Sequence, residues 1–351
     1  MTPTHDEAHR VTDVYLADLE ARLRDEYRKA SKEAKAKLDD YLRRFRAKDE
    51  VWRKRVAAGE ATAQDYAFWR RGQIMAGQRW GALQATLAQD LRNVDKIARS
   101  IVDGYTPEIY ALNYNFAGFA VERDSLVDAS FTLYSREAVE YIMRDNPDLL
   151  PPPGKRMTKA IAEGKALQWG RQQVQSCFAQ SILLGDSIPQ MAERVSRDLG
   201  TRSLGDAVRY ARTAATGAEN RGRDDAYARA ERKKIPLTRI WLATLDNRTR
   251  HSHRHLHGEK RDGERYSNGL RYPGDPSGAP SEIWNCRCAQ SATILDDVEL
   301  PKTSPKLGEM SFEEWLEVKP VYNPQTLPVD KANAIKAAHI ANYKRAARRL
   351  K

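Results

Sequence analysis

Apolar residues recur every three or four positions across residues 10–48, at Tyr15, Leu19, Leu23, Tyr27, Ala30, Ala34, Leu38, Tyr41 and Phe45. Charged residues fill the gaps, and that period predicts one long amphipathic helix. After Gly59, Thr62-Ala-Gln-Asp65 has the spacing of a capping box with Asp in the last position. A second helix is predicted from there through Trp69, Trp80, Leu83, Leu87, Leu91, Val94, Ile97 and Ile101, stopping near Gly104. The two stripes would pack against each other as an antiparallel pair. Thr106-Pro107 has the pattern of an N-cap followed by proline at the first helical position. Residues 113–134 read as a short strand or an irregular loop, and Ser135 caps a helix through Tyr141 and Met143. Residues 146–155, NPDLLPPPGK, read as a linker, because three consecutive prolines cannot continue a helix.

Helical patterning resumes over 157–184 and breaks at Gly185. It restarts at Asp186-Ser187 with Pro189, is expected to end at Gly200, and returns over 203–234. At Ile235-Pro236 the character changes to a strand over 237–245, loops rich in Gly, Pro and His, and a closing strand at 291–295. Prolines 301, 305, 320, 324 and 328 punctuate the remainder, with a short helix after Ser311 and a terminal helix over 330–351. The expected fold is mainly α: an extended helical body, a small loop-rich α+β C-terminal block and a basic tail. Four segments follow, at 1–150, 151–235, 236–296 and 297–351.

Composition sharpens this picture. Of 351 residues 30% are charged, and the formal net charge is +11. Such a chain favours long helices with wide wet faces over one thick core, and its basic surplus favours polyanions. Residues 330–351 carry seven Lys/Arg against one Asp, about half of that surplus. No run approaches the roughly 20 apolar residues of a membrane helix, and MTPTHDEAHR lacks the features of a signal peptide. Three cysteines are too few for a disulfide framework, so synthesis in a reducing cytoplasm is expected, with no membrane partner.

Candidate chemistry concentrates in one segment. Four of the seven histidines, His251, His253, His255 and His257, fall within Asp246–Gly258, and Asn285-Cys286-Arg287-Cys288 follows about 30 residues later. On a strand the four imidazoles share a face; on a helix they pair as 251/255 and 253/257. Two thiols one residue apart can reach one ion, and nitrogen and sulfur donors suit tetrahedral Zn²⁺. A structural zinc on His253, His257, Cys286 and Cys288, a catalytic metal, and small buried cysteines beside solvated histidines are three readings of these residues. Cys177 lies on an apolar stripe and reads as a buried thiol. There is no Gly-rich phosphate loop, and no strand-elbow-helix signature surrounds Ser252. Asp246, His251, His253 and Asn285 could be assembled into an HNH-like nuclease site; an Asp246–Arg248 ion pair pinning the loop is the preferred alternative.

The order Trp241, Asp246-x-Arg248-Thr249-Arg250-x-x-His253-x-x-Leu256-x-Gly258, Pro273-Gly274-Asp275-Pro276, Asn285-Cys286-Arg287-Cys288 resembles the Mu F-like family of phage minor head, or head morphogenesis, proteins. Ala211-Arg212-Thr213-Ala214 and Asn220-Arg221-Gly222 on the preceding helix fit it too, with Ala214 where Glu is usual. The likeness is specific over 155–295, and Asp246, Arg248, Thr249, Arg250, Gly258 and Asn285 form its structural motif. Residues 10–150 resemble, more loosely, minor capsid proteins of phages infecting Gram-positive bacteria. Some relatives carry Cys at the positions of Arg250 and His253, giving a zinc-like set. Here at most three of those ligands remain, and His257, His251 or Asp246 would complete the shell. Some relatives also carry toxin domains after this block; the residues beyond 296 are too few and too basic for one.

The resemblance implies a minor structural protein of the virion, made in the host cytoplasm and not an enzyme. It would associate with the portal protein and with capsid or scaffold proteins, and act in head morphogenesis or in genome packaging and delivery. Non-specific contact with packaged double-stranded DNA is expected through Lys344, Arg345, Arg348, Arg349 and Lys351. A metal-dependent nuclease and a stand-alone nucleic-acid-binding protein are the competing expectations.

Overall fold

A computed structural model describes residues 6–151, 165–295, 300–301 and 303–350. The chain is mainly helical. In order come α1 (Glu7–Arg43), α2 (Arg46–Ala57), α3 (Ala63–Ile74), α4 (Gly77–Ser125), α5 (Arg136–Asp145), α6 (Lys165–Leu183) and α7 (Ile188–Arg232). Strand β1 (Leu237–Leu242), the single turns α8 (His251–His255) and α9 (Pro280–Ile283), and β2 (Ala289–Ile294) make the α+β block. Helices α10 (Phe312–Val318) and α11 (Val329–Ala347) follow. Among the described residues the sheet has two strands, antiparallel, with Leu237 opposite Ile294 and Leu242 opposite Ala289.

The helices are longer and differently cut than the sequence pattern implies. The first stripe breaks at Arg44-Phe45, giving α1 and α2, and the second breaks at Met75-Ala76, giving α3 and α4. Thr62 and Asp65 do close a capping box, and Ser135 accepts the Ala138 N–H. The expected stop near Gly104 and restart at Pro107 do not occur, because α4 runs through both. Proline within a helix costs about 3 kcal/mol. Against that, Ile109, Tyr110, Ala111, Leu112, Tyr114 and Ala117 downstream are all buried. The Thr106 hydroxyl also donates to the Asp103 carbonyl, which the missing proline N–H would leave unbonded. Residues 113–125 are therefore helical rather than strand or loop. Nor does Gly200 end a helix. It is an interior residue of α7, where a Cβ would sit 3.3 Å from the Ser31 Cβ. Of the expected linker, Pro147–Leu149 forms a 3₁₀ turn with Leu149 buried, while 152–155 lie outside the described residues, as do 157–164.

Two compact units emerge, and neither is a continuous stretch of chain. One comprises residues 1–20, 102–154 and 209–351; the other comprises 21–101 and 155–208. Among its described residues the second unit is helical, without strands. Leu38, Tyr41 and Leu42 of α1 meet Ile74, Trp80, Leu83 and Leu87, and α6 and α7 add Val174, Cys177, Phe178, Met191 and Val195. Trp80 stands edge-on to Phe178 at 4.7 Å.

In the first unit the core runs from α1 and α4 through α7 to the C-terminal helices. Arg223 of α7, fully buried, ties these elements together. Its guanidinium donates to Asp6 of the N-terminal segment, to the Asn113 side chain of α4 and to the Gln290 carbonyl of β2. The region expected to be a linker and a basic arm is docked into this core. Phe312, Trp315, Leu316, Tyr343 and Ala346 are buried. Trp315 Nε1 and Lys319 Nζ donate to buried Glu122 of α4 at 2.7 and 2.9 Å.

Candidate metal centre

Helix α7 carries the site. The Thr216 hydroxyl donates to the Cys286 carbonyl (2.6 Å), and the Asn220 amide donates to the Cys288 carbonyl (3.0 Å) and accepts the Gln290 N–H (2.6 Å). Thr213 accepts the Asn285 N–H at 3.1 Å, and Asn285 sits at φ 54°, which Asn tolerates better than most residues. Three polar side chains spaced three and four apart thus hold the backbone of residues 285–290 along one helix face. That spacing makes physical sense of the Arg-Thr and Asn-Arg-Gly motifs. Gly222 adds close contact, since a Cβ there would lie 2.5 Å from the Tyr110 carbonyl oxygen. Gly274 (φ +79°), in the Pro-Gly-Asp-Pro turn, does the same: a Cβ there would lie 3.0 Å from the Gly217 nitrogen. Burial alone would raise the Asp275 carboxyl in that turn, but hydrogen bonds from Arg271 and Ser277 hold it at about 2.

The cluster itself is small. His253, Cys286 and Cys288 are all buried, with ligand atoms within 4.8 Å of one another. His253 Nδ1 lies 3.4 Å from the Cys288 sulfur and 3.6 Å from that of Cys286. Zn–S and Zn–N bonds at the tetrahedral angle place S and N about 3.6 Å apart, so the donors already sit at the edge length of such a shell. On its far side His253 Nε2 contacts Glu282 Oε2 at 2.9 Å. A carboxylate there orients the ring and makes Nδ1 a better donor. Trp241 packs edge-on to the imidazole at 5.2 Å. Hydrogen bonding between the two thiols, with His253 alongside, pushes the Cys288 thiol down and the Cys286 thiol up. The donor chemistry fits a thiophilic divalent ion with one coordination position left for a fourth ligand.

The other sequence candidates have different places. His257 stands apart from the cluster: its Nδ1 accepts the Ala243 N–H at 3.2 Å, a contact that turns the ring toward the strand. His251 and His255 are exposed and pair with each other, Nε2 to Nε2 3.1 Å. Asp246 does not pair with Arg248 through its side chain. The Arg248 backbone N–H and the Thr249 hydroxyl donate to it at 3.0 Å, and Arg287 grips it with two hydrogen bonds of 2.7 Å. The Arg287 bonds hold the Asp246 carboxyl well below the usual carboxylate range. Arg250 donates to the Glu282 and Trp284 carbonyls, bracing the chain that leads into the cysteines. Gly258, at φ +82°, donates its N–H to the Trp241 carbonyl. Asp246 and His251 lie outside the metal-capable cluster, so the four residues of an HNH-like site do not come together as one ligand set.

At the C-terminus Lys344 is ion-paired with Glu313 and Glu317, Arg349 with Asp18, and Arg345 donates to Asn342. Arg348 is exposed, and Lys351 lies outside the described residues. Sequence reasoning missed Glu282, Thr216 and Arg287 as partners. Only the three- and four-residue spacing of polar groups on α7 hinted at Thr216.

Residues 172–291, the stretch that holds both α7 and the cysteine loop, match the family described as Phage Mu protein F like protein. In this stretch the chain is similar to the Mu F-like family, as its motifs indicated. Among curated proteins, the minor head protein GP7 of Bacillus phage SPP1 is 24% identical over 307 residues, covering 84% of this chain and 88% of that protein. An NAD(+)–arginine ADP-ribosyltransferase, EFV, of Enterococcus faecalis is 27% identical over 231 residues. The chain spans 45% of that protein's length. No solved structure matches.

Proposed function

We propose that this chain is a minor structural component of a tailed-phage head, docked at the portal vertex and acting in head morphogenesis or genome delivery. The observation that carries the reading is the coincidence of the Mu F-like stretch with one physical assembly: α7 and the loop it holds. The extended match to a phage minor head protein supports it. Portal subunits and capsid or scaffold proteins are its partners, and packaged DNA lies within reach. The transferase name belongs to a protein of more than twice the matched length. Within the assembly, His253, Cys286 and Cys288 hold a structural zinc ion, with Glu282 orienting the imidazole. The bound ion would cross-link the α8 turn to the loop before β2.

Quantitative mass spectrometry of procapsids and mature particles assembled with this chain tests the reading. A few copies per portal are expected. Absence from both particles overturns it.

A further inference from the structure

We propose that the α1–α2 junction and α2 form a surface for the phosphate backbones of duplex DNA. At the C-terminus two of the seven basic residues of 330–351, Lys344 and Arg349, are ion-paired within their own unit, with Glu313, Glu317 and Asp18. In the second unit a denser basic cluster has fewer such partners. Arg44, Arg46, Lys48, Arg53, Lys54 and Arg55 are all exposed. No ion pair to Arg46, Lys48, Arg53 or Lys54 occurs among the described residues. Nearby acids do little to offset them. Asp49 is buried against Arg70 and Tyr66, and Glu60 stands 3.9 Å from Arg55. Of the two acids on α2, Glu50 alone is exposed.

The arrangement suits a double strand. Seven residues are almost two helical turns, so Arg46 and Arg53 share one flank of α2 while Lys48 and Arg55 share the other. Between the flanks, Asp49 and Trp52 face α3, where Trp52 stacks on Tyr66 and Trp69. Those contacts fix how the helix is turned. Two stacks further stiffen the charges, with Arg44 4.4 Å from the centre of Tyr41 and Arg55 4.7 Å from that of Trp52. A helix with a basic row on each side can reach both phosphate strands bordering a major groove about 12 Å wide. Base-edge recognition is not part of this surface, so binding is independent of sequence and steeply salt-dependent.

The proposal rests on the phage-head reading only for the presence of DNA, and its test is separate from particle counting. Binding of the full chain to a labelled duplex of mixed sequence is followed by fluorescence anisotropy. Neutralising about four phosphates should weaken binding roughly 100-fold between 50 and 200 mM salt. The variant R46Q/K48Q/R53Q/K54Q should lose at least tenfold in affinity, and the salt dependence should flatten. K344Q/R345Q/R349Q should change affinity less than threefold. Circular dichroism melts check that each variant is folded, and K48E/K54E, which makes the same change of four charges at only two positions, should weaken binding in the same direction. Three outcomes overturn the proposal. They are loss confined to the C-terminal variant, no binding by the unaltered chain at 50 mM salt, and displacement of duplex by polyglutamate as effectively as by unlabelled DNA. The last would point to an acidic protein as the occupant.

Discussion

His253 is placed between two sulfurs on one side and a carboxylate on the other, and each contact has a different consequence when removed. C286S/C288S leaves one nitrogen donor, and metal content should fall from about one zinc per chain to near zero, read by elemental analysis of protein purified without chelator. Glu282→Gln keeps all three donors but weakens the orientation of the ring, and the zinc affinity should drop about 10- to 100-fold, measured by competition with a chromophoric chelator. If wild-type protein carries well under one zinc per chain, the metal reading is wrong and the cluster is a buried thiol–imidazole contact. The donors come from two stretches about 30 residues apart, yet their residue types were legible: a Cys-x-Cys and a His-rich turn. The fourth expected donor, His257, was not excluded by any sequence feature. Its exclusion depends on the Ala243 N–H, a backbone partner supplied by the chain leaving β1.

At the scale of elements, α7 is the scaffold and its small residues set how closely α4 approaches. Gly222→Ala places a methyl group 2.5 Å from the Tyr110 carbonyl oxygen and 3.1 Å from the Tyr114 nitrogen. Both neighbours are helix backbone and cannot step aside individually, so the helices must separate. A loss of about 1–3 kcal/mol is expected, seen as a lower urea midpoint. The same change at Gly205, where a Cβ meets nothing within 4 Å, should be harmless or mildly stabilising. Some helix starts were readable because caps are local: the Thr62–Asp65 box closes as its spacing suggests, and the short helix expected after Ser311 begins there, its cap completed by Glu314. Helix ends were not. Gly104 and Gly200 as stops, and Thr106-Pro107 as a start, are local signals overridden by burial of the apolar residues around them, a tertiary effect larger than the propensity it opposes.

For the first unit as a whole, buried polar contacts link the N-terminal segment to α4, α7 and β2. His9 Nδ1 meets Glu219 at 2.8 Å, with Asp6, Asp13 and Arg223 facing the same group of charges. Burial alone would lower the His9 pKa, but the charge and hydrogen bond of Glu219 raise it above its ordinary 6.5. A histidine raised on folding contributes stability that is fully present below the unfolded value and fades as pH rises through the folded one. Wild-type melting temperature should therefore fall as pH increases above about 6.5, and His9→Gln should flatten that slope between pH 6 and 8.5. A slope unchanged in the variant would show that this contact titrates without consequence.

The sequence by itself determined the helical class, the small two-stranded block after Pro236, the cap-marked starts at Thr62 and Ser135, and the resemblance to the Mu F-like family over 155–295, of which residues 172–291 match the family. Each of these depends on local periodicity or on residue types at fixed spacing. Tertiary structure decided where helices end, which distant segments share a unit, which of four histidines faces the thiols, and which basic residues are neutralised. Those outcomes depend on which side chains meet across long sequence separations. The +11 net charge is plain from composition; that Lys344 and Arg349 are paired while Arg46 and Arg53 are not is a matter of packing.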